Sequence, residues 1–99
     1  MAAVTAAELL VGVELADRRR PGAREVYVAD LLGTIPIEPY DLDVARAHAR
    51  LLAHTRTSGR PRGAHDLIIA ATALARGRVV VTADASGFAD LPGIAIRAA

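Results

Sequence analysis

Apolar residues recur at helical spacing in four stretches of this 99-residue chain and run unbroken in a fifth. Residues 2–5 read as the tail of a strand. Thr5-Ala6-Ala7-Glu8 then has the form of a capping box, followed by Leu9, Leu10, Val13 and Ala16 at the spacing of one helix face. That helix runs towards Arg18-Arg19-Arg20, cations suited to a helix C-terminus, and Pro21 stops it. A second helix fits residues 23–32 and ends at Gly33. Ile35-Pro36-Ile37-Glu38-Pro39 alternates, and its two prolines confine it to a sheet edge.

Asp41 or Asp43 caps a third helix reaching to about residue 57, with Val44, His48, Leu51 and Leu52 on one side. Gly59-Arg60-Pro61-Arg62-Gly63 is a loop. The fourth helix starts near His65-Asp66, is apolar on almost every face and ends at Gly77, which predicts that it is buried. Val79-Val80-Val81 is β-branched and continuous, the pattern of a strand covered on both faces in a parallel sheet. Ile94-Ala95-Ile96 is a last short strand. Helices alternating with strands in this way predict one α/β domain over residues 1–99, an α/β/α sandwich with a mostly parallel sheet.

Composition narrows the function more than the fold. A chain of this size buries somewhat over ~60% of its unfolded surface, so it must be well packed or oligomeric. Aromatics are only 3%, so Ala, Leu, Val and Ile build the core, and base-stacking platforms for single-stranded nucleic acid are nearly excluded. Cysteine is absent, which removes disulfides, zinc fingers, iron–sulfur centres and thiol catalysis. Every basic residue other than histidine is Arg, and the net charge of +1 is too small to hold a polyanion non-specifically. The longest nearly apolar run, Leu67 to Ala75, is far shorter than the ~20 residues of a membrane span. With no basic leader and with Glu8 interrupting the first apolar stretch, the expected location is the cytoplasm, with no membrane partner.

Three acids occupy places where an α/β sheet puts chemistry. Glu8 follows the first strand, Asp66 opens the buried fourth helix, and Asp84 follows directly on Val81 in Thr82-Ala83-Asp84. Carboxylates gathered in one place ionise together only around a cation, and hard oxygen donors select Mg²⁺, with Mn²⁺ as a substitute. Each acid also has a plain structural reading: Glu8 as the capping-box partner of Thr5, Asp66 as a helix N-terminal acid, Asp84 as the cap of a turn running through Phe88. Gly12, one turn beyond Glu8, leaves room beside that carboxylate. His48 and His54 stand about 240° apart on a helix and cannot share a metal, so one belongs to the core edge and the other to solvent. Arg60 and Arg62, in the loop before Asp66, are candidates for contacts to substrate phosphate.

Taken in order, these segments resemble the PIN-domain ribonucleases, specifically the VapC toxin family. The resemblance covers essentially the whole chain. Ala3-Val4-Thr5-Ala6-Ala7-Glu8-Leu9-Leu10-Val11-Gly12 is similar to the segment with the family's second acidic ligand, and Gly63-Ala64-His65-Asp66-Leu67-Ile68-Ile69-Ala70-Ala71-Thr72-Ala73 to the one with the third. Val81-Thr82-Ala83-Asp84 with Phe88 and Leu91-Pro92-Gly93 resembles the closing strand, the fourth acidic position and the tail. The family domain opens with a further strand that carries a first acid. Met1 here falls inside the later strand, so the resemblance implies the larger C-terminal part of such a domain, N-terminally incomplete. Asp17 and Asp30, both expected on helices, do not replace that acid.

The resemblance implies a Mg²⁺-dependent endoribonuclease, the toxin of a toxin–antitoxin pair, leaving 5′-phosphate products. Glu8, Asp66 and Asp84 are then the metal ligands and catalytic acids, with Thr5 and Thr82 orienting them. The implied partners are a cognate antitoxin, an RNA substrate and a second copy of the chain. The alternative is an inactive remnant that binds antitoxin or dimerises without cutting.

Overall fold

A computed structural model describes residues 1–16, 22–58 and 60–99, in two compact units, Met1–Pro39 and Tyr40–Ala99. Asp17, the Arg18–Arg20 cluster with its Pro21 stop, and the Gly59 terminator lie outside the described residues.

The first unit is a pair of helices, α1 (Ala3–Ala16) and α2 (Ala23–Thr34), followed by an extended segment. The strand expected at residues 2–5 is reduced to a single parallel bridge between Ala2 and Glu38. It is made by the Ala3 amide donating to the Glu38 carbonyl (3.0 Å) and the Glu38 amide donating to the Met1 carbonyl (2.8 Å). Thr5 is already helical, and its amide donates to the Ala2 carbonyl. The Thr5–Glu8 capping box therefore does not form: the helix starts too early for Thr5 to be its cap. The helix α2 begins after Gly22, whose φ of 99° suits glycine, and runs through Gly33 to Thr34. The Thr34 hydroxyl closes its last turn by donating to the Asp30 and Leu31 carbonyls. Asp30 is helical as expected. Ala6, Val13 and Val28 are buried, whereas Leu10, Val11, Leu15, Val26 and Tyr27 are exposed.

The second unit holds the main core. The helix α3 (Leu42–Ser58) is capped by Asp41, whose carboxylate accepts from the Val44 amide at 3.1 Å. The helix α4 (Ala64–Arg76) ends at Gly77 in the left-handed conformation (φ 65°), where its lack of a Cβ removes the penalty. These two helices pack on each other through Val44, Ala47 and Leu51 of α3 and Leu67, Ala70, Ala71 and Ala73 of α4. The Thr72 hydroxyl, buried among them, is satisfied by the Ile68 carbonyl at 2.8 Å. His48 sits half-buried at the core edge with its Nδ1 2.8 Å from the Tyr40 hydroxyl, and His54 faces solvent.

The strands β1 (Val80–Thr82) and β2 (Ile96–Ala98) pair in parallel, with Val80 opposite Ile96 and Thr82 opposite Ala98. Two expectations are corrected here. Only Val80 is buried, while Val79 and Val81 are exposed, because a two-stranded ribbon packed against α4 covers one face alone. The last strand lies two residues later than residues 94–96, because Ile94 is used instead to pack against the core.

The core predicts its own test. Leu51→Ala empties a fully buried position and should destabilise the protein by about 2–5 kcal/mol, read as a lowered urea midpoint. The Asp41 carboxyl is held below its usual range, first by a hydrogen bond from Arg76 and then by the Val44 amide. A depressed folded-state pKa stabilises above the unfolded value, and that contribution is lost as pH falls through the folded one. Stability should thus drop on acidification below about pH 4, and Asp41→Asn should flatten that part of the profile.

Candidate functional site

A short turn at the carboxyl end of β1 brings together two of the candidate acids. Asp84 leaves the strand and caps a single 3₁₀ turn, Ala85–Gly87. Its Oδ1 accepts from the Ser86 amide (3.1 Å) and the Ser86 hydroxyl (2.5 Å). These bonds, the hydroxyl first, pull the Asp84 carboxyl below the ordinary carboxylate range. Thr82 orients the backbone: its hydroxyl donates to the Asp84 carbonyl and accepts from the Asp84 amide, both at 3.1 Å. The capping reading of Asp84 is therefore real, and it leaves Oδ2 for other work.

Asp66, in the first turn of α4, reaches the same turn from the other side. A Cβ built on Gly87 would stand 2.6 Å from Asp66 Oδ2, and one on Gly63 would stand 3.4 Å from it. Two carboxylates thus address one four-residue segment, Asp84 through Ser86 and Asp66 across Gly87. Within this unit, among the described residues, no third acid or histidine joins them closely enough to form a three-ligand metal site.

Arg60 and Arg62 brace the segment that follows. The Arg60 guanidinium pairs with Asp90, and Arg62 Nη2 donates to the Ala89 carbonyl at 2.6 Å. Arg62 Nε is buried without a hydrogen-bond partner. Between these tethers Asp90 adopts a left-handed φ of 65°, while Phe88 and Leu91 plug into the core on either side. A cleft of about 350 Å³ opens beside Arg62, lined also by Leu52, Thr55, Arg56, Pro61 and Leu67. The bracing of the turn by two loop arginines was missed in the sequence, since nothing local signals pairs 27 and 30 residues apart.

Glu8 and Thr5 lie in the first unit, on α1, where Glu8 is exposed and Thr5 half-buried. The space at Gly12 is not open: a Cβ there would lie 3.1 Å from Nη2 of Arg24, whose guanidinium fills it from α2. The room expected beside Glu8 is taken by a cation of the neighbouring helix.

The sequence profile of the PIN domain matches residues 1–94. Ribonuclease VapC5 of Mycobacterium tuberculosis is 40% identical over 92 residues, covering 93% of this chain and 67% of its own length. The VapC ribonuclease Y4jK of Sinorhizobium fredii is 38% identical over 92 residues, covering 89% and 66%. The chain spans about two thirds of the length of these curated relatives. Among solved structures, VapBC-5 of M. tuberculosis superposes with a TM-score of 0.80 at 38% identity, over 98% of this chain and 77% of the other. The DNA-bound VapBC of Salmonella typhimurium gives 0.88 at 29% identity, over 98% and 72%.

The tethers make a prediction. Arg62→Met keeps most of the side-chain stem but loses the bond to the Ala89 carbonyl. Exchange of the Phe88 and Leu91 amides, which close onto Ala85 and Phe88, should accelerate while the α3 and α4 amides stay protected. Unchanged exchange at Phe88 would mean that the turn is held without Arg62.

Proposed function

This chain belongs to the PIN-domain family and is homologous to the VapC ribonucleases; on that premise we propose that it is a metal-dependent endoribonuclease acting as the toxin of a toxin–antitoxin pair. The observation that carries the reading is the meeting of Asp66 and Asp84 on one turn at the carboxyl end of a parallel strand. Active sites of parallel α/β sheets lie at such ends.

PIN-domain nucleases generally use a divalent metal, and the donors fit a hard one. Asp66 and Asp84 offer only oxygen, and Asp84 keeps Oδ2 free of its capping bonds. Mg²⁺ and Mn²⁺ keep several waters and need only one or two carboxylates beside substrate phosphate. In this reading Asp66 and Asp84 supply two carboxylates, and Glu8, on the first unit, is the further acid that the family resemblance implies. When bound, the metal supplies an activated water and offsets charge on the phosphate. The chain's own residues contribute orientation. Ser86 keeps the Asp84 carboxylate ionised and fixed, Thr82 sets the backbone beneath it, and Thr5 lies one helical turn before Glu8. Arg60 and Arg62 stand in the loop leading to Asp66 and in this reading would contact substrate phosphate, although their guanidiniums also hold Asp90 and the Ala89 carbonyl.

The partner reading rests on surface. Leu10, Val11 and Leu15 of α1 and Val26 and Tyr27 of α2 expose apolar side chains on the first unit. Such faces suit an amphipathic antitoxin segment laid along the helices, and an antitoxin arginine would suit the carboxylates. The VapBC structures among the relatives support a partner of this kind. A homodimer is proposed on the small size of the core. Among the described residues no helix is long and apolar enough to cross a membrane.

The deciding experiment incubates the purified chain, alone and within a protein of its relatives' full length, with RNA in Mg²⁺, Mn²⁺ or EDTA. Cleavage should need the metal, and Asp66→Asn or Asp84→Asn should lower it by at least about 100-fold, the scale of losing a group that stabilises transition-state charge. Equal cleavage in EDTA would end the metal reading. Antitoxin co-expression with no inactive complex formed would end the partner reading.

A further inference from the structure

We propose that Gly87 is a positioning residue for Asp66: its missing side chain is what lets the Asp66 carboxylate lie across the turn that Asp84 caps. This rests on the reading of Asp66 and Asp84 as active-site carboxylates and adds a residue to which no chemistry attaches by type.

The left-handed glycines of the described chain are Gly22, Gly77 and Gly93, so Gly87 is not required by a positive φ. Its space is what matters. A Cβ there would stand 2.6 Å from Asp66 Oδ2 and 3.4 Å from Asp66 Cγ, and side-chain carbons do not approach a carboxylate oxygen that closely. On the other flank the Gly63 Cβ would meet the same oxygen at 3.4 Å, an ordinary contact. The carboxylate is held between two glycines, and Gly87 is the one whose replacement it cannot absorb in place.

Which partner would yield follows from how each is held. The turn is fixed at many points: Ser86 to Asp84, the Phe88 amide to the Ala85 carbonyl, Phe88 and Leu91 in the core, Arg62 to the Ala89 carbonyl, and Arg60 to Asp90. Asp66 is a short side chain with two rotatable bonds at a helix start. An alanine at 87 therefore turns the Asp66 carboxylate away from the turn, leaving its charge and its backbone unchanged. Residues that orient metal-binding groups typically account for about 10–100-fold in affinity.

The test compares wild type, Gly87→Ala, Asp66→Asn, the double variant, and Gly33→Ala as a glycine with no neighbour in reach of an added Cβ. In metal-free protein, NMR couplings report the Asp66 χ1 populations, and Mn²⁺ binding is followed by calorimetry. Gly87→Ala should shift χ1 without metal and weaken Mn²⁺ by about 10–100-fold. It should add no loss on the Asp66→Asn background, and Gly33→Ala should bind as wild type. If Gly87→Ala is too unstable to titrate, the clash is read instead as recovery of its urea midpoint when Asp66→Ala is added, and absence of recovery overturns the proposal. Unmoved χ1 and wild-type affinity in Gly87→Ala, with Asp66→Asn weakened, overturn the positioning role and leave the carboxylate reading standing. A shifted χ1 with Asp66→Asn binding like wild type overturns that reading and the proposal with it.

Discussion

The packing of α3 on α4 is the contact on which the rest of the second unit depends. Ala47, Ala70 and Ala71 are fully buried at it, and Leu51 and Val44 supply the bulk. Small residues at a helix contact let the axes come close, so few side chains fill the space between them. With only 3% aromatic residues, the chain has no large ring to make up for a loose fit. The two candidate acids of this unit are then attached to this pair. The α4 N-terminus carries Asp66, and its far end leads through Gly77 into β1, whose carboxyl end delivers Asp84. One helix and one strand thus set the separation of the two acids.

Helical periodicity made the four helices legible to within a few residues, because each buries a face whose spacing is written in its own sequence. The Asp41 cap and the Gly77 stop were legible for the same local reason. The capping box at Thr5 misled because Thr5–Glu8 has the right letters in a place where tertiary hydrogen bonds to Glu38 start the helix earlier. Val79–Val81 misled in a different way. Continuous β-branched residues state that a strand is apolar, and what covers each face is decided by elements far along the chain.

The candidate acids are legible by residue type and position, and what surrounds them is not. Glu8, Asp66 and Asp84 stand out because acids beside apolar runs are costly unless they meet solvent or a cation. The resemblance to PIN-domain ribonucleases, carried by the Glu8 and Asp66 segments, agrees with the family profile over residues 1–94. The parts that brace the site left no local mark. Arg62 and Ala89 lie 27 residues apart, and the Gly87–Asp66 approach spans α4 and β1. The space at Gly12 was read as open because a single helix face was considered, while α2 places Arg24 there.

The structural and chemical readings of Asp84 are parts of one arrangement. A carboxylate has two oxygens with about four lone-pair directions, and capping the Ala85–Gly87 turn through Ser86 occupies only Oδ1. Those same bonds favour the charged form, which is the form a hard cation requires. The cap also fixes the direction of Oδ2, so less conformational freedom is lost when that oxygen takes a ligand. Among the described residues Asp66 has no such internal brace; its direction is limited by what surrounds it, with Gly63 before and Gly87 across. The pair therefore joins one carboxylate held by hydrogen bonds to one held by shape, and a single methyl group at residue 87 is enough to disturb the second without touching the first.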